Sequence, residues 1–289
     1  MIFNKSDKQV RWIIGGSSGI GYELAKRYLQ AGDKVCIFAH DQIDEAVATL
    51  NEFANESKKG AKHNGNSDSV KGYEVDVTDT KQLATVFNDA EQAFAAPDTV
   101  INSAGIAIAK SFKEMSEEEF KRQIDINLVG SRNVAYCALP HLKAARSNSK
   151  QRPKLVLISS MAGLVACYGY AGYCASKFGI IGLADVLRME LSKPEGIDIA
   201  VVCPPEVETP LVFEERKSGS PITTQLKQLG GSLPIEVAVD EILAGIRAND
   251  FFIIPGKQAR KLYHLTRLLP MTVRGQVDKK LAKILKNSA

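Results

Sequence analysis

Three side chains in the stretch SMAGLVACYGYAGYCASK, Ser160, Tyr173 and Lys177, are of types that can move a proton to or from a carbonyl oxygen. Tyr173 and Lys177 are four residues apart, a spacing that puts both on one face of a helix, one turn apart. A phenol titrates near pH ~10 and is a weak proton source or sink at neutrality. A cation beside it favours the phenolate, lowers its pKa and suits it to general acid–base work. Ser160, thirteen residues before the tyrosine, can reach it from the end of a preceding strand and share hydrogen bonds with a ketone oxygen. Asn127 lies among apolar residues of a predicted helix, where a buried amide is costly unless it has a task. One task is holding a water for proton relay; the other is bonding a neighbouring backbone carbonyl.

Such a site needs a hydride donor, and the N-terminal elements are suited to hold one. Val10–Ile14 reads as a strand and runs into Gly15-Gly16-Ser17-Ser18-Gly19-Ile20-Gly21, followed by a helix over 22–31. Strand, glycine turn and helix form the context of a dinucleotide fingerprint: glycines let the backbone approach a pyrophosphate, and the helix N-terminus supplies free N–H groups. A second strand, Lys34–Ala39, ends at the position that normally faces the adenosine ribose. An acid there bonds the 2′-hydroxyl of NAD and repels the 2′-phosphate of NADP. With Ala39 in that place, no acid opposes the phosphate, and His40 can donate to it; a merely solvent-exposed histidine is the alternative. The reading favours NADPH, with Asp41 the residue that would favour NADH. A third strand is predicted over Tyr73–Val77. Its Asp76 either accepts from the adenine amino group or caps the next helix. A fourth, Thr99–Ile101, leads into Asn102-Ser103-Ala104-Gly105, small residues against which a cofactor can lie.

The remaining elements position these residues. Helices are predicted over 44–53, 81–94 and 236–247, with an irregular surface insertion over 55–71. Ser116 and Glu119 form a capping box for a long helix through Asn127 to about Leu142. Lys154–Ile158 is a fifth strand that delivers Ser160, and the helix carrying Tyr173 and Lys177 runs to about Leu191. Ile197–Val202 is a sixth strand, followed by Cys203-Pro204-Pro205-Glu206-Val207-Glu208-Thr209-Pro210. The stretch 211–234 looks irregular and could act as a lid, and Phe251–Ile254 is a seventh strand. This alternation predicts an α/β fold, a doubly wound parallel Rossmann-type sheet with ligands at the C-terminal strand ends. One catalytic domain is expected over 1–256, with a basic helical extension over 257–289.

These motifs together resemble the short-chain dehydrogenase/reductase family over roughly residues 10 to 255. The resemblance rests on Gly15-xxx-Gly19-x-Gly21, Asn102-Ser103-Ala104-Gly105, Asn127, Ser160 and Tyr173-xxx-Lys177. It implies an NAD(P)-dependent ketone or alcohol oxidoreductase, usually a homodimer or homotetramer. It assigns Ser160 to orient the carbonyl, Tyr173 to donate the proton, and Lys177 to lower the tyrosine pKa and bind the nicotinamide ribose. Asn127 would hold the relay water, and Val207 and Thr209 would meet the nicotinamide end. Gly15, Ser17, Ser18, Gly19, Ile20 and Gly21 would hold the pyrophosphate, with His40, Asp76, Val77, Asn102, Ala104, Gly105, Tyr173 and Lys177 along the rest of the cofactor. Ile14 stands where the family usually has Thr, Ser103 replaces an Asn, and Pro205 replaces a Gly, which stiffens the loop bearing Thr209. Within the family, Pro204-Pro205-xxx-Thr209-Pro210 with Phe213-Glu214-Glu215, and Ser159–Gly163 with Tyr173–Phe178, are similar to NADPH-dependent 3-ketodihydrosphingosine reductases. The implied substrate is a long-chain 3-ketone. A 3-oxoacyl thioester, a steroid or a xenobiotic carbonyl would use the same machinery, and a nucleotide sensor would have no need of all three catalytic groups.

Composition sets the outer bounds. The 289 residues suffice for a sizeable core. Five scattered cysteines without zinc-ligand spacing suit a reducing compartment, and no metal is expected. The N-terminal MIFNKSDKQVRW has no apolar signal core, so the cytoplasm is the expected location. Residues 257–289 carry nine Lys or Arg and one acid, against 28 basic and 32 acidic residues in the remainder. Val273, Val277, Leu281, Ile284 and Leu285 share a helical face there. Such a basic amphipathic helix either docks on its own body or a partner subunit, or lies peripherally on an anionic membrane surface. A nucleic-acid partner is not expected.

Overall fold

A computed structural model of the chain describes residues 8–58, 69–148, 151–213, 221–227 and 230–288. Residues 1–7, most of the predicted insertion (59–68) and Glu214 and Glu215 of the predicted lid lie outside the described residues. Short apolar runs form strands β1 (Val10–Ile14), β2 (Lys34–Ala39), β3 (Val70–Glu74), β4 (Thr99–Asn102), β5 (Lys154–Ile158) and β6 (Asp198–Val202), with short β7 (Glu206–Val207), β8 (Ser232–Leu233) and β9 (Phe252–Ile253). Between them lie α1 (Gly19–Gln30), α2 (Ile43–Lys58), α3 (Thr80–Phe94), α4 (Glu117–Gln123), α5 (Gly130–Asn148) and α6 (Ala171–Leu187). Helices α7 (Pro221–Lys227), α8 (Ile235–Ala248), α9 (Lys257–Leu268) and α10 (Pro270–Ser288) follow. The main sheet has the order β3-β2-β1-β4-β5-β6-β9. Strand order reverses at β1 and β4, the point where open α/β sheets bind ligands. β7 and β8 form a separate parallel pair.

The described chain packs as two compact units. The first lies within Met1–Ala104, Val129–Leu157 and Ala184–Ala200. Its core is built on fully buried Trp12, Phe38 and Phe87. The Trp12 ring centroid lies 5.8 Å from that of Phe38 and 5.0 Å from that of Phe87. Burying each such side chain contributes ~1.5–3 kcal/mol. The second unit lies within Gly105–Leu128, Ile158–Leu183 and Val201–Ala289. There the C-terminal extension is fastened to α8: Glu241 accepts from the Gly256 N–H at 2.9 Å and from Arg260 at 2.6 Å.

Several elements depart from expectation for identifiable reasons. β3 sits three residues earlier than predicted, because Val70 pairs with Val35 and Glu74 with Ala39, so it ends level with β2. Asp76 and Val77 therefore fall in the turn beyond the strand. α2 continues through Lys58 into the predicted insertion. The helix that starts at the Ser116–Glu119 capping box is interrupted by a π-helical turn over Ile124–Val129 before α5. The stretch 211–234 is not irregular throughout, since it holds α7 and β8. The predicted apolar face of α10 is partly turned inward: Val273 and Ile284 are buried, Val277 and Leu281 half-buried and Leu285 exposed, and α10 packs on α7 and α9.

Candidate active site

The glycine turn, in the first unit, is made by close backbone approach. Gly15 has φ of +74°, and a Cβ there would stand 2.6 Å from the Ala104 nitrogen. At Gly21 it would stand 2.1 Å from the Gly15 carbonyl oxygen. The Gly15 N–H donates to the Phe38 carbonyl at 2.7 Å, and the Ser103 N–H to that of Ile14 at 2.8 Å. Asn102 shapes the same loop, its Nδ2 donating to Ser131 Oγ at 2.9 Å and its Oδ1 accepting from the Ala104 N–H at 3.2 Å. Ser18 is the N-cap of α1, its side chain makes no capping bond, and no acid stands in the first turn. The first-turn N–H groups, beside Ser17 and Ile20, thus present the positive helix end to an anion with no local carboxylate competing. The residues present fit a pyrophosphate. Gly21→Ala should therefore destabilise the chain by about 1–3 kcal/mol and weaken nucleotide binding, read by urea unfolding and by titration with NADPH.

Around the turn, Ala39 is buried at the end of β2 and His40 is exposed just beyond it. Asp76 Oδ1 accepts from the Thr78 N–H and hydroxyl, each at 2.8 Å. Capping of α3 falls to Asp79 instead, which accepts from the Lys81 and Gln82 N–H groups. Val77 is buried, and its carbonyl accepts from Asn133 Nδ2 at 3.1 Å.

The residues expected to handle the proton, Asn127, Ser160, Tyr173 and Lys177, all belong to the second unit. Tyr173 and Lys177 lie one turn apart on α6, with Lys177 Nζ 5.5 Å from the tyrosine ring centroid. Lys177 is only 5% exposed, and its Nζ donates to the Ile158 carbonyl at 3.1 Å. Burial lowers its pKa from 10.5 to about 8. It therefore remains a cation at pH 7, beside the phenol. A Cβ on Gly105 would lie 3.4 Å from Lys177 Nζ and 3.1 Å from Asn127 Oδ1, a tight fit that would press on these two groups.

Asn127 sits in the π-helical turn, an irregularity common at functional sites. Its Oδ1 accepts from the Ile106 N–H at 2.8 Å; its Nδ2 donates to the Ile106 carbonyl at 2.9 Å and to Ser176 Oγ at 3.0 Å. Of the two tasks open to the amide, the structure shows bonding to a neighbouring backbone. Ser160 follows β5 with extended backbone, and its Oγ accepts from the Ala162 N–H at 3.1 Å. Ala162 and Tyr173 pack against the same buried cluster of Ala109, Tyr170 and Cys174. Val207 and Thr209 are buried, and the Thr209 carbonyl accepts from the Val212 and Phe213 N–H groups.

This assembly is a phenol with a buried cation on one helix and a serine in the adjoining turn. A family model described as short chain dehydrogenase matches residues 9–219. The chain belongs to the short-chain dehydrogenase family. It is an oxidoreductase of the kind that uses a nicotinamide cofactor. 3-Dehydrosphinganine reductase of Arabidopsis thaliana is 33% identical over 244 residues, which are 84% of this chain and 68% of that one. 3-Ketodihydrosphingosine reductase of Dictyostelium discoideum is 31% identical over 247 residues, 83% of this chain and 72% of that one. Among solved structures, a short chain dehydrogenase of Burkholderia cenocepacia in complex with NADP aligns with a TM-score of 0.72 at 19% identity, covering 94% of this chain and 98% of its own. One from Mycobacterium paratuberculosis bound to NAD aligns at 0.74 and 20%, covering 89% and 100%. At such identities these two establish the fold alone.

Three residues that contact the candidate site residues are not singled out by the sequence. Ser176 is fully buried, donates to the Tyr173 carbonyl at 2.7 Å and accepts from Asn127, so it couples the π turn to α6. Ser159 donates to the Lys177 carbonyl at 2.9 Å. Cys203, whose thiol burial pushes up to about 12, is a neutral neighbour of Lys177. Ser176 lies three residues past Tyr173, a spacing that could have flagged it; Ser159 and Cys203 give no signal beyond adjacency to named motifs.

Proposed function

We propose that this protein is an NADPH-dependent reductase of a long-chain 3-ketone, a 3-ketodihydrosphingosine-like sphingoid base. The observation that carries the reading is the buried Lys177 cation beside Tyr173 in a tyrosine-lined apolar cluster; the names of the relatives support the substrate class. Ser160 holds the ketone oxygen by hydrogen bonding, and Tyr173 gives that oxygen its proton. Lys177 stabilises the phenolate left behind, while Asn127 and Ser176 hold α6 in register with the Ile106 loop. Gly15–Gly21 receives the pyrophosphate, with Ser17, Ser18 and Ile20 on the first turn of α1. His40, Asp76, Val77, Asn102, Ala104 and Gly105 would flank the adenosine and ribose, with Val207 and Thr209 at the nicotinamide end. When bound, the reduced nicotinamide supplies the hydride. Ala39 and His40 support NADPH over NADH, so Ala39→Asp should lower the NADPH/NADH ratio of kcat/KM at least about tenfold. NADPH and NADH oxidation measured side by side with 3-ketodihydrosphingosine tests the whole reading. Fast turnover with NADPH supports it; none with either cofactor, while NADPH still binds, would overturn the lipid-ketone assignment.

Two further properties are proposed with it. Exposed Val129, Tyr136, Val186 and Met189 in the first unit and Phe178 in the second support a homodimer or homotetramer. Peripheral membrane contact is assigned to the corner between α9 and α10, since Val273 and Ile284 of the face predicted for it are buried. Leu268 is 78% exposed, Met271 73% and Leu269 52%, flanked by exposed Arg267 and Arg274. Apolar residues ringed by cations suit an anionic lipid surface. Leu268→Asp with Met271→Asp should abolish sedimentation with phosphatidylserine vesicles and leave turnover of a water-soluble ketone unchanged. Sedimentation equal to wild type would remove the lipid contact from the proposal. Among the described residues, no helix is long and apolar enough to cross a membrane.

A further inference from the structure

Glu206 and Lys227 form an ion pair at 2.6 Å that is largely withdrawn from water, with side-chain exposures of 10% and 15%. Removing both charges from solvent costs several kcal/mol, and an apolar pair of similar volume often holds two elements together as well or better. Fastening α7 is therefore a weak reason for the pair, and α7 already has another fastening: Thr223 Oγ1 donates to the Tyr168 carbonyl at 2.9 Å.

The position of the pair suggests a second reason. Lys227 Nζ lies 5.7 Å from the Tyr170 ring centroid, and that ring lies 5.2 Å from the ring of Tyr173. From the other side, the Met161 N–H donates to the Pro204 carbonyl at 2.9 Å. This ties the residue after Ser160 to the backbone two positions before Glu206. The ion pair is thus linked to Tyr173 through Lys227 and the Tyr170 ring, and the backbone leading to Glu206 is linked to the residue after Ser160, with Pro205 limiting its freedom in between. Two other carboxylates of this unit are engaged elsewhere: Glu119 with Lys110 and Ser116, and Glu241 with Gly256 and Arg260. Glu208 is exposed.

We propose that the Glu206 carboxylate is the subsite for the ammonium group of a 2-amino-3-ketone, and that the Lys227 ammonium occupies this subsite until the substrate displaces it. The inference rests on the sphingoid reading above, in which the carbon next to the ketone bears a protonated amine. A desolvated ammonium needs a fixed carboxylate, and an ammonium of the protein is the closest chemical stand-in for it. The exchange is cation for cation, so the charge around Glu206 is conserved when Lys227 swings to solvent. The pair then discriminates against ketones lacking the amine, since these leave Lys227 in place and gain nothing from Glu206.

The test compares 3-ketodihydrosphingosine with its analogue lacking the 2-amino group, both with NADPH. In the wild type kcat/KM should favour the amino ketone, and Glu206→Gln should cut its kcat/KM about 30-fold or more, as expected for truncating one partner of a buried charge pair. The analogue should change by less than about threefold on the same scale. Lys227→Met, which keeps the carboxylate, should retain or increase the preference for the amino ketone. This second variant keeps the proposal falsifiable where Glu206→Gln folds poorly, as judged by NADPH affinity. Equal losses for both ketones in Glu206→Gln, or a lost preference in Lys227→Met, would overturn the subsite and leave the reductase reading standing. Wild type that reduces the analogue but not the amino ketone would instead overturn the sphingoid reading, and the subsite with it.

Discussion

Tyr173→Phe should lower kcat for ketone reduction by about 10³-fold, within the 10²–10⁴ range of general acid–base groups, while leaving the affinity for NADPH unchanged. The substitution removes one oxygen and keeps the ring, which matters because the ring is a packing element. It lies 5.2 Å from Tyr170 and packs on the Ala109–Tyr170–Cys174 cluster. The helix that carries it is held elsewhere, by Ser176 to Asn127 and by Ser159 to the Lys177 carbonyl. Thermal unfolding of the variant should therefore match the wild type, and single-turnover kinetics should place the loss in the chemical step. The glycine turn and α1 do not involve the phenol, so fluorescence titration with NADPH should give the wild-type affinity. A variant that keeps most of its turnover would remove Tyr173 from the proton-donating role and shift attention to Ser160. A variant that loses nucleotide affinity as severely as turnover would make the residue a cofactor ligand first.

How much of this was legible in the sequence depends on the range of the interactions involved. The i, i+4 pair on α6 and the Ser116–Glu119 capping box are local patterns, and both appear as read. The glycine turn was legible because its cause is short-range sterics: Gly15 and Gly21 approach backbone that no side chain could tolerate. The π turn at Ile124–Val129 was not, since its apolar pattern is that of an ordinary helix. It aims Asn127 at Ile106, twenty-one positions away in the chain. β3 was placed late because Lys71 and Gly72 interrupt its apolar pattern, whereas pairing with β2 fixes its register. α7 has too few residues to show a period, and β8 is defined only by its partner β7. The α10 stripe announced an apolar face but carried no information about what covers it; Val273 and Ile284 are buried against the chain itself.

Ketone reduction should also weaken as pH rises through about 8, and Lys177 is the group responsible. The sign follows from burial. Taking an ammonium out of water disfavours its charged form, so the lysine loses its proton near pH 8 instead of near 10.5. Below that value the cation stands beside Tyr173 and stabilises the phenolate formed when the proton leaves. Above it the neutral amine gives no such help. Because kcat/KM reports ionisations of the free enzyme, its alkaline limb should bend near 8 and fall about tenfold for each further pH unit. Lys177→Met removes the cation at every pH. Its kcat/KM at pH 7 should be lower by at least about 10²-fold, and its profile should show no bend near 8. The thiol of Cys203, held neutral to about 12, cannot produce the bend; Cys203→Ser should leave it in place. Wild-type kcat/KM that stays flat to pH 9.5, or a Lys177→Met profile that keeps the same bend, would assign the titration to another group and separate the buried lysine from the chemistry of the tyrosine.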